Sequence, residues 1–404
     1  MFDICYAFQL FIINGIIIEH EWRISEQNCY FLPTRKEYSK RRSLYMPKNF
    51  TYADAGVNRE QRAESKKALK KLQETYKHSH YGSVMRLPYG NIFPINKNIY
   101  LDLVIEGVGT KVLLAQLAEK YDTVGVDAVA MAVNDVIRSG ATPLAIADNI
   151  HAQTSNPKLV KAWLEGIAKG AAQAGCPVTG GEIGDVAGII NGIAEGKGFD
   201  MVVAAIGQVA KPKIITGKNI KPNDPIIGLR SSGLHSNGVT LARKVLLKQW
   251  DGKHEPHDTP DTLGREIISE MLEPTRIYVK PILKVAETAR IKAAVHITGD
   301  GYLKFNNLTR FSPGIGFEFN NFKPQPIFSL IQKTALELDY IITDEEMFRT
   351  FNMGWGFAVI VDKTDADNAM NALEKTGTEP ELIGKVTGKQ KIEIHYKSRK
   401  IILA

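Results

Sequence analysis

The strand-forming residues Leu101-Asp-Leu-Val-Ile105 run straight into Glu106-Gly-Val-Gly-Thr-Lys111, and a helical pattern begins at the lysine. A strand that becomes a helix across two glycines commits this part of the chain to layered α/β packing, because each element must bury one face. Gly107 and Gly109 also let backbone amides approach an anion closely. The acid before them and the lysine after suit a metal–phosphate complex. The turn is not a P-loop, which needs G-x-x-x-x-G-K-[ST], a pattern found nowhere in the sequence. Nor is it a dinucleotide fingerprint, since Val112 follows where a third glycine is needed. A purely steric turn with a surface lysine is the competing reading, so the decision rests on the rest of the chain.

The same unit recurs. Residues 225–229 read as a strand, Ser231-Ser-Gly-Leu-His-Ser-Asn-Gly238 as a turn and 239–247 as a helix. Around these, periodicity predicts helices over 59–76, 111–120, 127–139 and 158–174, and strands over 99–105, 123–126, 143–150, 177–180 and 199–209. With 404 residues, about two domains are expected. We divide the chain into an N-terminal extension (1–45), an α/β domain (46–210), a second domain of strands and helices (211–390) and a tail (391–404). A polar insertion loop is expected over 249–263.

The extension departs from the rest. Its apolar stretch 4–18 is interrupted by Gln9 and Asn14, is short for a membrane span and lacks the basic start of a signal peptide. We read Met46 as the natural start, with a peripheral segment docked on the body as the alternative. A net charge of +7 is scattered along the chain, which argues against nucleic-acid binding and remains compatible with phosphorylated substrates. Three cysteines, Cys5, Cys29 and Cys176, lack metal or redox spacing and point to a reducing, cytoplasmic setting.

The 231–238 turn crowds Ser231, Ser232, His235, Ser236 and Asn237 into one strand-to-helix junction. Backbone amides with Ser and Asn donors make an anion site suited to a sugar phosphate. The alternative, a helix cap, needs only Ser236 or Asn237. His235, with an ordinary pKa of about 6.5, is a candidate for proton transfer. Glu106, Asp127, Asp135 and Glu182 are the best Mg²⁺ candidates, being hard oxygen donors at strand ends or helix starts.

Together, several segments resemble the aminoimidazole ribonucleotide synthetase (phosphoribosylformylglycinamidine cyclo-ligase) family. They are Tyr52-Ala-Asp-Ala-Gly-Val57, Gly107-Val-Gly-Thr-Lys111, Gly125-Val-Asp-Ala-Val-Ala-Met-Ala-Val-Asn-Asp135 and Gly180-Gly-Glu182. The series continues through the 231–238 turn, Glu273-Pro-Thr-Arg-Ile-Tyr-Val-Lys280, His296-Ile-Thr-Gly299 and Phe348-Arg-Thr-Phe-Asn-Met-Gly354. The resemblance covers about residues 50–390. It implies a two-domain α/β (α+β) fold whose N-terminal domain forms a β-barrel across a homodimer. It also implies ATP-dependent closure of formylglycinamidine ribonucleotide, with Mg²⁺ on Glu106, Asp127, Asp135 and Glu182. ATP would meet Gly107, Gly109, Thr110, Lys111 and Asn134. Substrate would meet Ser232, His235, Ser236 and Asn237, with His235 and Lys111 as catalytic candidates.

Three departures stand out. The family pattern has Asp where this chain has Glu106, a glycine-rich loop where Leu87-Pro-Tyr-Gly-Asn-Ile92 keeps one glycine, and Gly where Asp300 stands. Rival readings are a selenophosphate synthetase-like or thiamine-monophosphate kinase-like enzyme, and a non-catalytic ATP-binding scaffold.

Overall fold

The computed structural model describes residues 6–13, 16–23 and 47–404. Within the extension, Tyr6–Ile13 and Ile16–Arg23 pair as an antiparallel hairpin, Ile13 opposite Ile16. Cys5, Cys29 and Met46 lie outside the described residues. No helix among the described residues is long and apolar enough to cross a membrane.

Residues 49–404 form one compact unit built on two sheets. The first has six strands in the order Met85–Leu87, Gly90–Pro94, Ile99–Gly107, Phe199–Ala210, Thr142–Ala152, Val178–Asp185. All its pairings are antiparallel except the last, which is parallel. Helices Asp122–Val136 and Pro157–Ala174 cover one face. They touch backbone to backbone at Gly166, where an added Cβ would sit 2.0 Å from the Asp122 carbonyl oxygen. The other face stays open, with Leu103, Ile105, Leu144 and Val178 exposed. Within one chain this sheet has two free edges and does not close into a barrel.

The second sheet orders seven strands as Ile291–His296, Trp355–Val361, Pro225–Arg230, Pro380–Thr387, Gly316–Phe319, Ile392–Tyr396, Arg399–Ile402. The last two correct the expectation of a tail over 391–404. Ile392, Glu393 and Ile394 are all buried, so that segment is packed into the sheet as a strand.

Another correction concerns 123–126, expected as a strand. These residues open the helix Asp122–Val136, so Asp127 sits in its second turn, not at its start. Burial of nearly the whole helix between the sheet and its neighbours overrides the β-preference of Val124 and Val126. The helical run expected over 59–76 extends to His78 as alternating α and 3₁₀ turns, none with a buried residue.

Candidate functional site

Lys111, expected to reach a phosphate, points inward. Its ammonium is fully buried, 2.8 Å from Asp127 Oδ2, and donates to the Glu273 carbonyl at 2.7 Å. Asp127 Oδ1 accepts three further hydrogen bonds, from the Thr275 amide at 2.8 Å, the Thr275 hydroxyl at 2.6 Å and the Ser236 hydroxyl at 3.1 Å. Two helical turns on, Asn134 accepts from the Tyr278 amide and donates to the Arg276 carbonyl, both at 2.8 Å. Positions 127 and 134 share a helix face, so one polar ladder clamps the extended segment 273–278 against the first sheet's helix. A buried charge pair is costly unless hydrogen bonds support it; here Asp127 Oδ1 is fully engaged, while Oδ2 has only the Lys111 ammonium beside it and no hydrogen-bond partner. Lys111, Asp127 and Asn134 therefore lock a junction, and the Lys111 charge is spent inside it.

Asp135 faces elsewhere, into a cleft of about 170 Å³ that it shares with Glu106, Asp102, Arg138 and Tyr89. Asp135 lies 2.8 Å from His296 Nδ1 and 2.6 Å from Arg138. Burial alone would raise its carboxyl, but Arg138, the His296 hydrogen bond and Lys304 outweigh it and hold the group well below the carboxylate range. Glu106 behaves oppositely. Burial and the Asp135 charge push it up to about 7, against Lys304 and Arg138. Burial also raises Asp102 to about 6, in spite of the Ser139 hydrogen bond. Two carboxylates crowding one low-dielectric cleft are what a hard divalent cation relieves, so Glu106 and Asp135 fit Mg²⁺ by their own chemistry.

The other two acids do not join them. Asp127 is consumed by Lys111. Glu182 stands exposed on the edge strand Val178–Asp185, opposite Asn149, which pairs with Val202 and hence with Gly107. Glu106 instead lines up with Val203, Asp148 and Gly181. Side chains alternate across a sheet, so Glu182 and Glu106 lie on opposite faces, three strand spacings or roughly 14 Å apart. The four-acid set does not converge within one chain. Among the described residues, the close group of metal-capable side chains is Glu318, Glu393 and His395. Its carboxylates are already paired with Lys385, Lys391 and Lys400.

The 231–238 turn is fixed from below. The Ser232 hydroxyl donates to the Pro274 carbonyl at 2.6 Å. His235 adopts a left-handed backbone (φ 60°), and its Nε2 accepts from the Ser232 amide at 3.1 Å. Burial, with the charges of His296, Lys111 and Arg276, drives its pKa well below the ordinary value. The ring is therefore neutral at pH 7, with the proton on Nδ1, and serves as a strut inside the turn. Capping is not what Ser236 and Asn237 do, because the following helix Val239–Leu246 is capped by Gly238 without a side-chain bond. Ser236 reaches Asp127, and Asn237 Oδ1 lies against Gly299.

The two glycine-rich turns meet. Thr110 Oγ1, in the first, is 2.8 Å from Thr240 Oγ1, in the helix that leaves the second. Gly109 holds φ 67° with open space beside it. Gly107 packs against Val202 and Met201 on the sheet. Tyr52 completes the enclosure: its amide donates to Glu346 Oε1 at 3.1 Å, and its hydroxyl meets the Gly238 main chain.

Sequence reading missed Arg138, Lys304 and Thr275. Arg138 is three residues beyond Asp135, an i,i+3 pairing that the helical pattern alone makes available. Lys304 carried no local signal. Burial holds its ammonium down to about 8, against Asp135, Asp300 and Glu106.

Residues 90–209 match the family described as "AIR synthase related protein, N-terminal domain", and residues 221–397 match its "C-terminal domain" counterpart. The phosphoribosylformylglycinamidine cyclo-ligase of Pyrococcus horikoshii is 37% identical over 356 residues, 85% of this chain and 97% of that protein. The Bacillus pumilus enzyme of the same name is 38% identical over 342 residues, 83% and 95% of the two chains. Among solved structures, a chain of the HypE–HypF complex aligns with a TM-score of 0.53 and 17% identity, over 83% of this chain and 99% of that one. The T. maritima PurL complexed with FGAR aligns with 0.52 and 15% identity, over 81% and 47%. At these identities the solved structures establish a shared fold.

Proposed function

The chain belongs to the AIR synthase related family, as a relative of the phosphoribosylformylglycinamidine cyclo-ligases, and from that membership we propose how its residues serve the cyclo-ligase reaction. The chain is an enzyme of purine biosynthesis that closes formylglycinamidine ribonucleotide to aminoimidazole ribonucleotide and turns ATP into ADP and phosphate. An amide carbonyl is a poor electrophile and its oxygen a poor leaving group. Transfer of the γ-phosphoryl to that oxygen solves both problems. The amidine nitrogen then attacks the carbon, a proton leaves the nitrogen, and the C–O bond breaks to release phosphate.

The observation that carries the assignment of roles is the Thr110–Thr240 contact, which sets the two anion-friendly turns side by side. The 107–110 turn would hold the triphosphate, with Asn134 and Lys111 fixing the junction beneath. Ser232, Ser236 and Asn237 would hold the ribonucleotide, with His235 bracing their turn. Glu106 and Asp135 would hold Mg²⁺, which when bound neutralises triphosphate charge. The open sheet face, with Leu103, Ile105, Leu144 and Val178 exposed, supports closure into a barrel by a second copy. Glu182 on that face would then meet the partner. We assign dimerisation to residues 46–210 and the second fold half to 211–390, in a cytoplasmic enzyme whose buried Cys176 is free.

The test is a single assay with purified protein, ATP, Mg²⁺ and formylglycinamidine ribonucleotide, following the aminoimidazole product. Stoichiometric ADP and product are expected. A folded protein that binds ATP but forms no product would instead favour the scaffold reading.

A further inference from the structure

One of the two carboxylates that fit a metal is already held by a cation of this chain. Asp135 Oδ1 lies 2.8 Å from His296 Nδ1, and its Oδ2 lies 2.6 Å from Arg138 Nη2. The two partners differ in freedom. His296 ends the strand Ile291–His296 and is fully buried, with its ring stacked on Phe357. Arg138 sits in the 3₁₀ turn Ile137–Ser139, just past the helix Asp122–Val136, and lines the same cleft as Glu106 and Asp102. There its guanidinium lies over the Tyr89 ring, 5.2 Å from the centroid, and its Nε donates to the Asp135 carbonyl at 3.1 Å. Tyr89 in turn donates its hydroxyl to the Lys304 carbonyl at 3.2 Å, which fixes the ring. A divalent ion bound to Asp135 Oδ2 at about 2.1 Å would have the guanidinium as its neighbour. Like charges that close repel, so metal and guanidinium compete for that oxygen.

We propose that Arg138 is the exchangeable counter-ion of Asp135, a positioning residue that holds the carboxylate in the metal-free enzyme and withdraws from Oδ2 when a divalent cation enters between Glu106 and Asp135. This rests on the assignment of Mg²⁺ to those two acids in the cyclo-ligase reading above. The exchange keeps Asp135 ordered and its charge compensated while the metal is absent. The freed guanidinium then has its planar fork of donors available, a geometry that suits a phosphate oxygen. One consequence separates this role from that of a purely structural pair. If Arg138 competes with metal, removing its charge tightens divalent binding. If Arg138 only braces Asp135, removing it loosens the site and weakens binding.

Calorimetric titration of the full chain with MnCl₂ reads that sign. Arg138→Gln should bind Mn²⁺ about tenfold more tightly than wild type, the scale of one charge beside a divalent ion under water-like screening. Arg138→Lys, which keeps the charge, should bind Mn²⁺ much as wild type does. Glu106→Gln should weaken Mn²⁺ binding in both the wild-type and the Arg138→Gln background, which places the ion in this cleft. Unchanged or weaker Mn²⁺ binding by Arg138→Gln overturns the proposal, as does an Arg138→Lys protein that binds as tightly as Arg138→Gln. A Mn²⁺ affinity that Glu106→Gln leaves unchanged puts the ion elsewhere and overturns it as well. Wild-type protein supplies an independent measurement should Arg138→Gln fail to fold. The Arg138 side chain is paired and only 10% exposed, so phenylglyoxal should modify it slowly. Saturating Mn²⁺ should raise the rate at Arg138 several-fold, followed by peptide mass spectrometry. A rate that Mn²⁺ leaves unchanged or lowers overturns the exchange. Wild-type turnover separates the two readings. A wild type that makes no product undoes the cyclo-ligase reading, whereas a productive wild type with any of these contrary results undoes only the role of Arg138.

Discussion

A histidine held at a left-handed backbone position inside a dry turn meets two constraints at once. His235 needs a φ that glycine or asparagine adopts more easily, and it gives its Nε2 lone pair to the Ser232 amide. Its pKa lies well below 6.5, so it does not titrate where the enzyme works. His235→Asn should therefore lower turnover without changing the shape of the pH–rate profile between pH 6 and 8. Loss of a limb of that profile would restore the histidine as the proton carrier. Glu106 does titrate there. Its folded pKa of about 7 lies above the ordinary value, so between about pH 4.5 and 7 the folded state binds more protons than the unfolded one. Stability of the metal-free protein must then fall as pH rises through that window. Glu106→Gln should melt close to wild type at pH 5 and on the order of 2 °C or more higher at pH 8. Equal melting temperatures at pH 8 would contradict the crowding of Glu106 and Asp135. The sequence made these residue types legible as site components, since Glu106, Asp135 and His235 all sit on motifs. Their protonation was not legible, because it depends on burial and on Lys304 and His296, which arrive from other elements.

The helix Asp122–Val136 carries two different polar faces. Asp127 and Asn134 bind the 273–278 segment, while Asp135, one residue further, turns into the cleft. The sequence showed the acids but misread 123–126 as a strand, which placed Asp127 at a helix start where a metal ligand or a dipole partner is plausible. Once the helix begins at Asp122, Asp127 falls on its buried face and needs a buried cation, which Lys111 provides. Deleting one partner leaves the other charged and dry. Lys111→Met should cost about 3–5 kcal/mol in urea unfolding, and Lys111→Met with Asp127→Leu should recover much of that loss. If the single variant is as stable as wild type, the junction does not depend on this pair. The misreading has a physical origin. Val124 and Val126 prefer strands locally, and only their burial on both sides, with Gly125 meeting the backbone of Trp163 and Ile167, decides for helix.

At the scale of the whole molecule, a two-domain fold of mixed strands and helices was anticipated from recurring strand, turn and helix units. Strand pairing was not, because the order of the first sheet joins strands distant in sequence, and it is this order that places Glu182 and Glu106 on opposite faces. One consequence concerns the uncovered face. Leu103 and Ile105 alternate with Asp102 and Glu106 on the strand Ile99–Gly107, so the same nine residues offer acids to the cleft and aliphatic side chains to the open side. An aliphatic face of this kind costs free energy in water unless another surface covers it. Ile105 is 69% exposed in the single chain, so a charge there meets solvent in a monomer and an apolar seam in a dimer. Ile105→Lys should leave the circular dichroism spectrum unchanged. In sedimentation it should convert a species of about twice the 44.8 kDa chain mass into one of a single chain. It should also depress turnover, because Ile105 precedes Glu106 and the glycine turn on the same strand. A variant that sediments as wild type would show that the open face is not where two copies meet, and Glu182 would then have no partner to reach.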